Sequence, residues 1–199
     1  MPEVLDDAAL IVVDLQNDFC PGGSLAVPDG DAVIPRVNRW VEAFSAQGRP
    51  IAYTQDWHPA DHVSFRQRGG PWPPHCVQGT SGAALHPALL VRGTLFRKAF
   101  EPDRDAYSGF EGVRTDPDGR LTDETLARWL HRLGVRRLLV VGLATDYCVR
   151  ATALDGLRGG FAVEVDPAAC RPVDVTPGDG ERALAELRRA GAVLTPPDA

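Results

Sequence analysis

The apolar run Leu138-Leu139-Val140-Val141 meets Gly142 at once and continues as Leu143-Ala144-Thr145-Asp146-Tyr147-Cys148-Val149. Consecutive apolar residues without polar alternation suit a strand buried on both faces, the environment of a parallel sheet covered by helices. The glycine marks a turn, and Thr145 or Asp146 is suited to cap a following helix by accepting from its free backbone N–H groups. Cys148 then falls in that helix's first turn, where the positive end of the dipole favours thiolate over thiol. The same N–H groups suit an oxyanion. Many acyl-transfer enzymes present a nucleophile in this way, yet a lone free cysteine is more often a small buried apolar group. The rest of the chain decides between the two.

Other apolar runs repeat the theme. Residues 8–13 read as a first strand ending on Asp14, and residues 51–54 as a second running into Gln55-Asp56-Trp57-His58. Residues 94–97 make a brief third strand ending on Lys98, and residues 161–165 and 192–194 make the last two. Residues 31–47 place Val33, Ile34, Val37, Trp40, Val41 and Phe44 on one helical face, with Pro35 in the first turn and Gly48 at the stop. A second helix, capped by Thr122, is expected to bury Leu126, Trp129, Leu130 and Leu133, and a last one opens at Thr176-Pro177 and closes at Gly191. Residues 59–93 show no period but carry histidines and aromatics, the composition of a functional loop. Strands alternating with helices predict a parallel sheet covered on both sides, in one domain over residues 1–199.

The net charge of −6, with basic residues scattered, argues against a nucleic-acid partner. No run approaches the roughly 18 apolar residues of a membrane span, and no basic start precedes an apolar core, so a cytoplasmic location is expected. Cys20, Cys76, Cys148 and Cys170 form no CxxC pair and read as free thiols. Lys98 is the only lysine among 21 Lys and Arg residues. A chain so committed to arginine keeps a compact, titratable amine where a planar fork does not serve.

In an open parallel sheet, ligands bind beyond the carboxyl ends of the strands. Asp14, Asp56 with His58, Lys98 and Cys148 all fall at that edge. Singly they read as a turn residue, solvated loop groups, a surface charge and core filler; together they point to chemistry. A carboxylate in a dry site can take a thiol proton, and a lysine beside both makes the anionic partners tolerable. Asp56 and His58, two apart in extended chain, share a face, and with His62 and His75 offer oxygen and nitrogen ligands suited to Zn, Fe or Mn. Cys76, beside His75, lies at no helix start and ranks below Cys148 as a nucleophile.

Asp14-Leu15-Gln16-Asn17-Asp18-Phe19, Asp56-Trp57-His58, Trp72-Pro73-Pro74-His75-Cys76-Val77, Lys98 and the segment from Gly142 to Val149 resemble the nicotinamidase/pyrazinamidase branch of the isochorismatase-like cysteine hydrolases. The resemblance implies a three-layer α/β/α fold with a six-stranded parallel sheet. It implies hydrolysis of nicotinamide to nicotinate and ammonia in NAD salvage, with pyrazinamide as a further substrate. Cys148 corresponds to the nucleophile, Asp14 to the proton acceptor and Lys98 to the third triad member. The backbone N–H groups of Ala144 and Cys148 correspond to an oxyanion hole, with a cis peptide expected between Leu143 and Ala144. Asp56, His58 and His75 match the ligands of one divalent metal, and His62 matches a variant fourth ligand. Phe19, Trp72, Tyr107 and Leu143 correspond to the substrate pocket. The competing expectation is the same machinery acting on another small N-carbamoyl or ureido amide.

Overall fold

Side chains along β1 (Ala8–Val13) alternate between two buried environments. Leu10 and Val12 pack with Val37, Val41 and Phe44 of α1 (Ile34–Ala46), whereas Ala9, Ile11 and Val13 face the opposite way. On that second face lie Leu126, Trp129 and Leu130 of α2 (Leu126–Arg132), Ala153 of α3 (Arg150–Arg158) and Leu187 of α4 (Asp179–Ala190). A strand with no solvent face needs helices on both sides, and the result is three layers, α/β/α. These features come from a computed structural model, which describes residues 6–196. Among the described residues no helix is long and apolar enough to cross a membrane.

The sheet contains β2 (Ile51–Asp56), β3 (Thr94–Lys98), β4 (Val113–Thr115), β5 (Leu121–Thr125), β6 (Arg137–Leu143), β7 (Ala162–Arg171) and β8 (Val193–Leu194) beside β1. Their order is β5-β4-β3-β2-β1-β6-β7-β8, and every pairing from β3 to β8 is parallel. Among the described residues the six-stranded parallel sheet is therefore present, but extended to eight strands by the antiparallel hairpin β4–β5. That hairpin turns at 116–120, where Asp116 Oδ1 accepts from Arg120 N at 2.8 Å and Gly119 has φ +82°. Its strands are half-exposed and lack an apolar face, so hydrophobic periodicity does not reveal them. The hairpin also displaces the expected cap of α2. Thr122 Oγ1 donates to Arg114 O inside the hairpin, and Thr125 caps the helix instead, accepting from Arg128 N. Leu133, expected inside, is 43% exposed.

Strand order reverses between β1 and β6, because α1 carries the chain one way from β1 while α3 and α4 cover the other face. Such a switch point opens a crevice beyond the strand ends, and the first residues past β1 and β6 line it. Gly142 is required here: its φ is +117°, and a Cβ would lie 2.1 Å from Val13 O. Gly142→Ala is expected to destabilise the fold by at least about 2 kcal/mol, through both clash and disfavoured φ, as a lowered urea midpoint with unchanged slope.

Candidate active site

Asp14 leaves β1 in the left-handed region, at φ +46°, which turns its side chain across the ends of the neighbouring strands. Thr54 of β2 clamps it: Thr54 Oγ1 donates to Asp14 Oδ1 at 2.6 Å and accepts from Asp14 N at 3.2 Å. The other carboxylate oxygen, Oδ2, lies 3.0 Å from Lys98 Nζ. Parallel register sets Asp56 beside Lys98 at the ends of β2 and β3, and Lys98 Nζ also forms an ion pair with Asp56 Oδ1. The ammonium group donates further to Ala106 O at 3.3 Å and to Cys148 Sγ at 3.5 Å. Polar atoms of Asp14, Asp56 and Cys148 all lie within 4.8 Å of one another, and all four side chains are buried. Four strand ends thus bring one cation, two carboxylates and a thiol to a single dry point.

Burial opposes every charge here, and the pairing decides which charges survive. For Lys98, burial alone would lower the pKa, but Asp14 and Asp56 raise it well above the ordinary value, so the amine stays protonated. Asp56 is pushed up by burial but pulled down further by Lys98 and His58, and it remains ionised. Asp14 has its pKa raised by burial, with Lys98 only partly offsetting this. The Cys148 thiol is pushed well above its usual range by burial, against Lys98 and with the two carboxylates. Cys148 sits in a wide π-type turn, Thr145–Val149, ahead of α3 rather than in the first turn of an α-helix, and burial opposes the thiolate that a helix dipole would favour. At rest the proton is on sulfur and Asp14 is the nearby raised base.

Nitrogen and oxygen atoms of Asp56, His58 and His75 form a second buried group within 4.8 Å. Among the described residues both ring nitrogens of His58 are buried without a hydrogen-bond partner, Nε2 lying 3.6 Å from Asp56 Oδ2, a costly arrangement unless a ligand engages one of them. His75 Nδ1 lies 2.8 Å from Pro73 O, a contact that fixes the ring with Nε2 free. One carboxylate and two imidazoles so arranged fit a divalent metal ion. His62, the expected fourth ligand, lies beside this group: its ring is tilted at 39° to that of His58, with centroids 4.3 Å apart, while Nδ1 lies 2.7 Å from Ser64 Oγ and Nε2 lies 3.0 Å from Arg104 O. With both nitrogens engaged, it falls outside the three-residue group.

A narrow cleft of about 370 Å³, counted to its open mouth, leads down to Cys148 and Asp56. Phe19, Trp72 and Tyr107 line it as expected, and Trp72 Nε1 donates to Tyr107 Oη at 3.0 Å, fixing both rings. Tyr147, unassigned in the sequence, meets Trp72 edge-on at 5.1 Å. Leu143 does not line the cleft. It is fully buried in the α1-side core, its Cδ1 close to Gly30, because β6 still alternates at that residue. The Leu143–Ala144 peptide bond is cis, and Ala144 joins the lining. Cys76 is buried, its thiol pushed well up by burial and by Asp56.

Thr54 and Gln16 were also missed, although each lies two residues from a residue of the site. Gln16 holds the end of β2 from both sides, donating to Asp56 O at 2.9 Å and accepting from Asp56 N at 2.8 Å.

Residues 8–198 match the isochorismatase domain model. The chain is 41% identical to the nicotinamidase of Escherichia coli, covering 94% of this chain and 93% of that one. It is 43% identical to the nicotinamidase/pyrazinamidase of Mycobacterium tuberculosis, over 94% and 97%. The solved pyrazinamidase of Pyrococcus horikoshii, in complex with zinc, superposes with a TM-score of 0.84 at 47% identity, over 95% and 98%. Fold, site and relatives together define a hydrolase acting on an amide. The chain belongs to the isochorismatase family.

Proposed function

We propose that this protein hydrolyses nicotinamide to nicotinate and ammonia through a thioester on Cys148, accepts pyrazinamide as well, and serves NAD salvage. The observation that carries the reading is the approach of Asp14, Lys98 and Cys148 beneath an aromatic cleft that Cys148 itself lines. Phe19, Trp72 and Tyr107 supply the flat apolar walls a pyridine needs.

The cleft aims the amide carbonyl at Cys148 Sγ, and holding reactants together removes much of the entropic barrier. As sulfur adds to the carbonyl carbon, the thiol proton passes to Asp14. The backbone N–H groups of Ala144 and Cys148 receive the developing oxyanion. Asp14 then returns its proton to the departing nitrogen, ammonia leaves, and a thioester remains. In the second half Asp14 takes a proton from water as the oxygen adds to the thioester carbon. Collapse expels Cys148, which recovers the proton from Asp14. Lys98 remains cationic throughout, offsetting whichever partner is anionic.

Asp56, His58 and His75 would hold one divalent metal, which when bound supplies a Lewis-acid anchor for the pyridine nitrogen. Ammonia release from nicotinamide, measured with and without a chelator, tests this. Turnover is expected with metal present, to fall at least about tenfold on chelation, and to return when divalent ion is added. Absence of activity under metal-replete conditions would overturn the reading.

A further inference from the structure

Asp146, one of two candidate caps with Thr145, makes no cap hydrogen bond. Its carboxylate reaches instead across to the segment between β7 and α4. Oδ1 accepts from Val173 N and Oδ2 from Asp174 N, each at 2.9 Å. Two consecutive backbone N–H groups on one carboxylate form a charge-assisted anchor. Asp174 itself has φ +52°, and its Oδ1 accepts from Gly180 N at 2.7 Å, at the start of α4. The segment is thereby pinned at both ends. Val173 packs against the cluster containing Phe19 and Ala144 and lines the cleft together with Tyr147 and Cys148 of the nucleophile turn. Asp146 stands two residues before Cys148, so sulfur and cleft wall are referenced to one short piece of backbone.

We infer that Asp146 is a positioning residue: it sets the width of the cleft through Val173 and thereby selects the size of aromatic ring the enzyme accepts. The inference rests on the cleft being where nicotinamide is hydrolysed. Asp146 has no contact with the ring or the reacting atoms in this account; it acts only by holding Val173. A carboxylate that merely stabilised a surface loop would alter stability without altering selectivity.

Asp146→Asn keeps the shape but replaces one acceptor oxygen with an NH2 donor facing a backbone N–H, so one of the two anchors becomes unfavourable. KM for nicotinamide is expected to rise about tenfold, with kcat changed less than about twofold. Discrimination against the wider fused-ring amide quinoline-3-carboxamide is expected to fall about tenfold. Val173→Ala should produce the same shift, and the double variant should add nothing further, because Asp146 acts on the cleft only through the side chain that Val173→Ala removes. Unchanged KM and selectivity in either single variant, or effects that add in the double variant, would overturn the role of Asp146. A wild-type enzyme inert toward nicotinamide would remove the functional reading itself, and the inference with it.

Discussion

Cys148→Ala is expected to reduce ammonia release by at least about 10⁴-fold while leaving metal content unchanged. In the proposed mechanism the sulfur forms the covalent intermediate, and removing it leaves no thiol at that point of the cleft. The group proposed to hold the metal, Asp56, His58 and His75, does not include the thiol, so metal retention separates loss of the sulfur from collapse of the site. Quantified metal together with a single-turnover ammonia assay checks both halves. Substantial ammonia release by the alanine variant would reassign the nucleophile, for example to water. Cys76 is a poor replacement, since burial and Asp56 push its thiol well up.

Lys98→Met is expected to cost both activity and stability. Methionine fills a similar volume, so the loss is electrostatic rather than a cavity. Without the ammonium group, Asp14 and Asp56 remain buried and close together with no cation between them. Removing one member of a buried charge network costs about 3–5 kcal/mol, because the remaining charge is left without compensation. A denaturant titration should show that loss, alongside turnover reduced at least about 10³-fold. Lys98→Arg should restore little activity, because a planar guanidinium does not occupy the point held by an amine that contacts Asp14, Asp56, Ala106 and Cys148 together. Near-wild-type stability in Lys98→Met would mean that a carboxylate there is already protonated.

Much of this arrangement is written locally in the chain. Buried runs such as 138–141 announce parallel strands because both faces are covered, and the chemistry sits at their carboxyl ends because the strands are parallel. That is why Asp14, Asp56, Lys98 and Cys148 can be singled out without coordinates. What escaped depends on pairs distant in sequence. The β4–β5 hairpin carries no apolar face, so only its turn and its pairing with β3 define it. The raised pKa of the Cys148 thiol follows from desolvation and from two carboxylates that fold in from β1 and β2, which its own turn does not reveal. Leu143 points into the core because alternation along β6 persists to its last residue. The contacts of His62 with Ser64 and Arg104 could not be read from its position among other histidines, because the partner 42 residues away is a backbone oxygen. Thr54, by contrast, was legible: two residues before Asp56 in an extended strand, it shares that residue's face.

In the proposed mechanism Cys148 carries the acyl group during nicotinamide hydrolysis. Acid-quenching the metal-replete enzyme during turnover and weighing its peptides tests this directly. The account predicts a nicotinoyl group on the peptide containing Cys148, appearing before nicotinate and decaying with it. Full turnover with that peptide unmodified at every quench time would contradict it.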